Sequence, residues 1–250
     1  MPAATFDPTA FDRLAQVEAR HFWFVERRRL ISWTLRRYFP AARSFCEVGC
    51  GTGFVLEGVA RDHPQLAVTG VDPFPRALTL AAARVPAARL QQSSIHDSNG
   101  DVFDVVGCFD VLEHIPDDQR ALAQLVRRVR PGGGLILTVP QHPRLWSAAD
   151  EIGHHQRRYT RRGLLRQLRA ANLRCLRATS FMTFLLPLLA LRRSASTREA
   201  ALAELHPSPI ANTVGGALLR LERGLIACGV SLPWGSSLLI VARTPDGGDN

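Results

Sequence analysis

The chain has 250 residues, 46% hydrophobic and 21% charged, which is enough to bury one substantial core and points to one elaborated domain. No targeting segment is visible, since the first twenty residues carry Asp7, Asp12 and Glu18. The longest apolar run, Phe181 to Leu191, is too short to span a bilayer as a helix and contains Pro187. Five scattered cysteines with no C-x-x-C pair exclude a disulfide framework or zinc site and read as buried thiols in a reducing compartment, the cytoplasm.

The net charge is +9 and every basic residue is arginine. Residues 1–44 hold 8 Arg against 4 acids, residues 45–140 hold 8 against 11, and residues 141–250 hold 15 against 7. A mildly acidic middle between basic flanks suits an anionic partner: a phosphorylated molecule, an acidic membrane surface or nucleic acid. A solvated arginine-rich surface accounts for it equally well.

Apolar spacing from Phe11 to Phe39 predicts one or two amphipathic helices, ended by Pro40. Ser44–Val48 then reads as a short buried strand entering Gly49-Cys50-Gly51-Thr52-Gly53, with helical spacing resuming over Phe54–Arg61. A second strand is expected at 66–71, a helix at 75–85, a weak third strand at 88–92 and a fourth strand at 103–109. Asp117 and Asp118 look like caps for a helix running to Val129. Arg130-Pro-Gly-Gly-Gly134 reads as a sharp turn before a fifth strand at 135–139. Strands alternating with helices at this spacing mean βαβ units and a parallel sheet. Beyond residue 140 the rhythm changes: a helix at 161–171, a strand at 173–179, a mostly helical stretch from Phe181 to Ile226 and a closing strand at 237–244.

Glycines at 49, 51 and 53 sit where the first strand meets the first helix, so the backbone can approach a ligand at a helix N-terminus. A dinucleotide loop would place its third glycine at 54, which is Phe54. Asp72 ends the second strand, where a carboxylate can accept both hydroxyls of a ribose; alone it reads equally well as a turn or cap acid. The set FCEVGCGTGFVLEGVA, GVDPF, FDVVGCFDVLEHIPDD and RVRPGGGLILTVP, in this order and spacing, resembles the class I S-adenosylmethionine-dependent methyltransferases, particularly the ubiquinone-biosynthesis type. The likeness extends over roughly residues 11–244.

The resemblance implies a Rossmann-like, seven-stranded, mostly parallel sheet with its last strand antiparallel and a helical insertion between the last two strands. It divides the single domain into a helical cap (1–43), a cofactor core (44–140) and an acceptor-side region (141–244, insertion at about 180–235), with a disordered tail at 245–250. It implies S-adenosylmethionine as cofactor, S-adenosylhomocysteine as product and no metal. Gly49, Gly51 and Gly53 would pass under the methionine portion with Glu47 beside it; Asp72 would take the ribose; Pro73 and Phe74 would lie by the adenine. Ser94 and Ile95 occupy the segment after the third strand; Ser93 stands where relatives carry an acid, which leaves backbone groups or Asp97 for the adenine amine. Phe109 and Asp110 would lie under the sulfonium.

Because the sulfonium is already activated, positioning is the protein's main task, and a base is needed only if the acceptor must lose a proton. His114, His142, His154, His155 and Tyr159 are the candidates, each with a plain structural role as its alternative. The Asp110-Val-Leu-Glu113 segment replaces the planar-nitrogen clamp of exocyclic-amine methylases and favours oxygen or carbon acceptors. His21-Phe22-Trp23-Phe24 would either roof the acceptor pocket or simply pack. The run 181–191 would be core packing or an interfacial patch contacting a membrane. The expected partner is a small-molecule acceptor, anionic where the basic flanks are used. The rivals are an RNA-directed methyltransferase or RNA-binding protein, disfavoured by the lack of a nucleic-acid module, and a non-catalytic cofactor-binding partner.

Overall fold

The computed structural model describes residues 9–97, 100–188 and 197–247. Two helices open the chain, α1 (Thr9–Val17) and α2 (Phe22–Tyr38). Then come β1 (Ser44–Val48), α3 (Phe54–Asp62), β2 (Ala67–Asp72), α4 (Pro75–Arg84), β3 (Arg89–Gln92) and β4 (Phe103–Phe109). After a short 3₁₀ turn at Leu112–His114 follow α5 (Asp118–Arg127), β5 (Val129–Pro140), α6 (Ala148–Ile152), α7 (Arg161–Ala170) and β6 (Arg174–Phe181). The insertion supplies α8 (Arg198–Ala203) and α9 (Pro209–Ala227), and β7 (Ser237–Arg243) closes the sheet.

The strands form one seven-stranded sheet in the order β3-β2-β1-β4-β5-β7-β6. Pairings are parallel from β3 through β5, and β7 runs antiparallel to both β5 and β6. The order reverses between β1 and β4, so the chain leaves these paired strands in opposite directions, the place where such sheets open a crevice for a ligand.

Period-2 alternation sorts the strand residues onto two faces. Cys46, Val48, Val106, Cys108, Leu135, Leu137 and Ile240 meet Leu122 and Leu125 of α5 and Leu164 and Leu168 of α7. Phe45, Val105, Phe109, Ile136, Leu239 and Val241 meet Leu30, Ile31 and Leu35 of α2, Leu56 and Val59 of α3, and Leu219 and Ile226 of α9. The C-terminal half of α2 is therefore part of a core face. The insertion also docks on α2: Phe22 N–H donates to Asn212 Oδ1 (2.9 Å), and Asn212 Nδ2 donates to the Arg20 carbonyl (2.9 Å).

Several sequence expectations need correction. The Arg130–Gly134 segment is not a sharp turn; it is the first part of β5. Its backbone groups find ladder-like partners: Gly132 N–H donates to the Pro245 carbonyl (2.8 Å), Thr244 N–H to the Gly133 carbonyl (3.1 Å), and Thr244 Oγ to the Arg130 carbonyl (2.7 Å). Gly134 is needed for close approach, since a Cβ there would lie 2.3 Å from the Phe39 ring. The same bonds carry order past the expected boundary at 245; residues 248–250 lie outside the described residues. Two of the five cysteines, Cys175 on the edge strand β6 and Cys228 capping α9, are exposed and not buried. The run 181–191 is not one helix: Phe181 ends β6 buried, Met182 has φ +60°, and Phe184 and Leu188 face outward. Its last residues, 189–191, lie outside the described set. Among the described residues no helix is long and apolar enough to cross a membrane.

Asp104 ties the start of β1 to β4 and β5. Its carboxylate accepts from Arg43 N–H (2.8 Å), Ser44 N–H (2.9 Å), Ser44 Oγ (3.1 Å) and Arg130 Nη1 (2.8 Å). Asp104→Ala leaves those donors to water and is expected to cost about 1–3 kcal/mol in urea unfolding. A loss under a few tenths would show that the junction holds without it.

Candidate active site at the carboxyl ends of β1, β2 and β4

The β1–α3 loop folds back over the end of β2. Gly49 N–H and Cys50 N–H both donate to the Val71 carbonyl (2.7 and 3.1 Å). Asp72 then pins the loop from the side: Oδ2 accepts from Gly51 N–H (2.9 Å) and Oδ1 from Phe74 N–H (3.0 Å). Each oxygen keeps a second lone pair for a ligand hydroxyl. Burial raises the Asp72 pKa, against the lowering effect of those two amides. Gly49 has φ +77°, and a Cβ on it would lie 2.3 Å from Val111 Cγ2. Only glycine fits, and it leaves backbone where a ligand can approach.

The fit to a cationic nucleoside ligand rests on Glu47. It is fully buried, its Oε2 has no hydrogen-bond partner, and burial, with neighbouring Asp72 and Glu18 opposed by Arg27, pushes its pKa up to about 8. A buried orphan acceptor beside a glycine loop is where an ammonium or a hydroxyl would be satisfied. Phe74 is half-buried with its ring 5.5 Å from that of Phe11 on α1, while Pro73 is exposed. Ile95 is buried and Ser94 half-buried. Asp97 is exposed, and its carboxylate accepts from Ser94 N–H (2.8 Å) and so caps its own loop.

Phe109 is buried in the face of the sheet covered by α2, α3 and α9. Asp110, next along the chain, has φ +54° and turns its carboxylate to Thr138 Oγ (3.0 Å) and to the guanidinium of Arg27 on α2. Arg27 also stacks on Trp23 at 4.6 Å. Glu18, at the end of α1, accepts from Thr52 Oγ of the glycine loop (2.6 Å) and pairs with Arg84. The N-terminal helices thus touch the loop and the β4 tip directly. Arg27, Glu18, Thr52 and Arg84 were not singled out from the sequence. Their only signal was an acid and an arginine bracketing the aromatic HFWF run.

The histidines form a separate group. The His114 and His155 rings meet edge to face at 4.8 Å, and burial, with His155 beside it, lowers the His114 pKa to about 4. His155 Nδ1 sits 2.8 Å from Asp150 Oδ1, which also accepts from Arg158 Nε (2.8 Å). Glu113, fully buried with neither carboxylate oxygen hydrogen-bonded, has its pKa pushed well up by burial and by Asp110. Glu113, His114 and His155 hold ligand atoms within 4.8 Å of one another, a grouping able to take a divalent cation in principle. The charges of Arg27 and Arg158, which both act on Glu113, oppose that use.

Tyr159 is engaged inside the fold through its hydroxyl. Its side chain is core, its hydroxyl donates to Asp118 Oδ2 (2.9 Å), and burial and that carboxylate raise its pKa. His154 is exposed at φ +55°, and His142 stacks on Trp234 at 6.0 Å, outside the histidine group.

The profile of a methyltransferase domain matches residues 19–178. The chain belongs to that family. Its sheet order and glycine loop are those of the class I S-adenosylmethionine-dependent branch. The chain is similar to a ubiquinone biosynthesis O-methyltransferase of Alkalilimnicola ehrlichii, 34% identical over 41% of this chain and 44% of the relative. It is likewise similar to a trans-aconitate 2-methyltransferase of Deinococcus radiodurans, 34% identical over 47% of this chain and 48% of the relative. It therefore spans about half the length of the curated relatives it matches. In fold it is similar to Haemonchus contortus phosphoethanolamine N-methyltransferase 2, solved with phosphomonomethylethanolamine and S-adenosylhomocysteine. The TM-score is 0.63 at 16% identity, over 97% of this chain and 59% of that one.

Two predictions follow from this geometry. Gly49 and Gly100 share φ +77°, but a Cβ on Gly100 would meet nothing within 4 Å. Both alanine variants carry backbone strain of about 1–2 kcal/mol, and only Gly49→Ala adds a clash of roughly 1–3 kcal/mol. Equal chemical-denaturation losses would show that the loop yields around Val111. Asp150 is held at a pKa of about 2 against an ordinary 3.8; burial alone would raise it, and His155 and Arg158 outweigh that. A depressed carboxyl stabilises above its unfolded pKa and loses that contribution as pH falls through the folded one. Urea titrations at pH 5 and near pH 2 should therefore show the advantage of wild type over Asp150→Asn shrink by about 2 kcal/mol. A constant difference would mean that Asp150 is not ionised in the pair.

Proposed function

We propose that the protein transfers a methyl group from S-adenosylmethionine to an oxygen or carbon of a small molecule, releasing S-adenosylhomocysteine. The observation that carries this reading is the Asp72 carboxylate, fixed at the end of β2 by Gly51 and Phe74 amides with lone pairs left for two ribose hydroxyls. Gly49, Gly51 and Gly53 would pass under the amino-acid portion, with the unpartnered Glu47 oxygen for its ammonium. Phe74 and Phe11 would flank the adenine, and Ser94 and Ile95 would offer backbone to its edge. Asp110 would face the sulfonium. The N-terminal half of α2 and the α9 insertion, joined by the Asn212 bonds, would frame the acceptor side.

Relatives named for ubiquinone-biosynthesis O-methylation and for trans-aconitate support a small-molecule acceptor, and the former supports oxygen. Among the histidines, His114 is too weak a base near neutral pH to deprotonate an ordinary alcohol. Asp72→Ala removes two charge-assisted bonds of roughly 1.5–3 kcal/mol each, so affinity for S-adenosylhomocysteine should fall at least about tenfold. Calorimetry on wild type and variant measures it. Unchanged affinity in a folded variant, or no binding by wild type, removes the reading.

A further inference from the structure

Arg27 is charged, nine-tenths buried and stands beside the strand end where chemistry is expected. Its side chain is 10% exposed, one Nη pairs with Asp110, its plane lies on Trp23, and its Nε is buried with no hydrogen-bond partner. A guanidinium presents five donors in a rigid fork, so the pair with Asp110 leaves donor edges for a second oxygen ligand. A buried donor left without an acceptor is costly, which makes a ligand at that edge the natural partner.

The groups around it favour a particular kind of ligand. Removing a proton from a neutral hydroxyl needs a base, and Glu47, Glu113, His114, Tyr159 and Asp110 are poorly suited to that. Burial raises the pKa of Glu113 and pushes that of Glu47 up to about 8, burial lowers that of His114 to about 4, and Tyr159 is tied to Asp118. Asp110 already accepts from Arg27 and Thr138. An acceptor that arrives ionised needs no base and supplies the charge that the free guanidinium edge lacks.

We propose that Arg27 determines acceptor specificity by receiving the acceptor oxygen as an oxyanion, that of an acidic phenol. This rests on the methyltransferase reading above. An oxygen lone pair forms the O–CH3 bond as the S–CH3 bond breaks, and that bond's electron pair stays on sulfur. The two opposite charges cancel and no proton changes hands. Trp23 fixes the plane of the fork, and Asp110 keeps the guanidinium from repelling the donor's positive charge.

The test uses 4-nitrocatechol, whose ionised form absorbs in the visible, added to wild-type protein saturated with S-adenosylhomocysteine. Its apparent ionisation pH should fall by about one unit on binding, the size expected for an acid beside an opposite charge. Arg27→Gln should abolish the shift, Arg27→Lys should retain part of it, and Asp110→Asn, which frees the guanidinium of its partner, should enlarge it. The opposite-signed responses distinguish charge from mere disruption, and the aspartate variant keeps the test decisive should the glutamine variant misfold. An unshifted probe on wild type, or the same shift in Arg27→Gln, overturns the proposal. Calorimetry with S-adenosylhomocysteine on the same samples separates this failure from that of the methyltransferase reading, which alone would abolish nucleoside binding.

Discussion

The site depends on one carboxylate that holds a loop in place. Asp72 ends β2 with its backbone in the sheet and its side chain across the glycine loop, where it accepts one amide from the loop and one from its own following turn. The carbonyl one residue earlier, Val71, takes two further loop amides. Four N–H groups are thus committed within two residues, and the loop inherits the rigidity of the parallel sheet. A ligand-binding loop held this way is preorganised, so little ordering is left to be done on binding.

The N-terminal segment ties stability to the site. Leu30, Ile31 and Leu35 of α2 are buried against the sheet, while Arg27, about one turn earlier on the same helix, reaches Asp110 at the β4 tip with Trp23 against its guanidinium. Glu26 between them is buried and paired with Arg29 (2.6 Å) and with Arg223 of α9 (3.2 Å). The helix is consequently fixed from the sheet, from the insertion and from Asp110. The expectation of a helical cap left out its share of the core. Apolar spacing marks a buried face without saying which surface buries it.

Local signals made the central βαβ units legible. Ser44–Val48 and Phe103–Phe109 stand where apolar runs place them, and Asp117 caps α5 through Arg120 N–H (3.0 Å) as its position implied. Local signals failed where partners lie far along the chain. Pro-Gly-Gly-Gly reads as a turn by composition, yet residues 244–245, more than a hundred positions later, supply its ladder. Tyr159 was singled out for its neighbours in sequence, whereas the contact that fixes its role is to Asp118, 41 residues earlier. The Arg27–Asp110 pair spans 83 residues and no spacing rule could have joined them. The glycine loop and Asp72 were visible because they sit at strand ends that periodicity locates.

The buried acids explain why the polar part of the site and the apolar part of the fold are segregated. Glu47 and Glu113 each carry carboxyl oxygens without partners, at a cost of about 1–3 kcal/mol per unsatisfied group. Glu47 lies near the carboxyl end of β1 and Glu113 in the turn that follows β4, whereas apolar strand residues such as Phe45, Val105, Ile136 and Leu239 build the core faces. Raised pKa values limit the penalty, because a protonated carboxyl avoids the larger cost of a buried charge. Glu47, once beside a positively charged ligand, can release its proton and gain a counter-ion, so the energy withheld in the free protein becomes differential affinity for a cation. Arg27 holds the same region in check until then, since its charge acts on Glu18, Glu47 and Glu113 together.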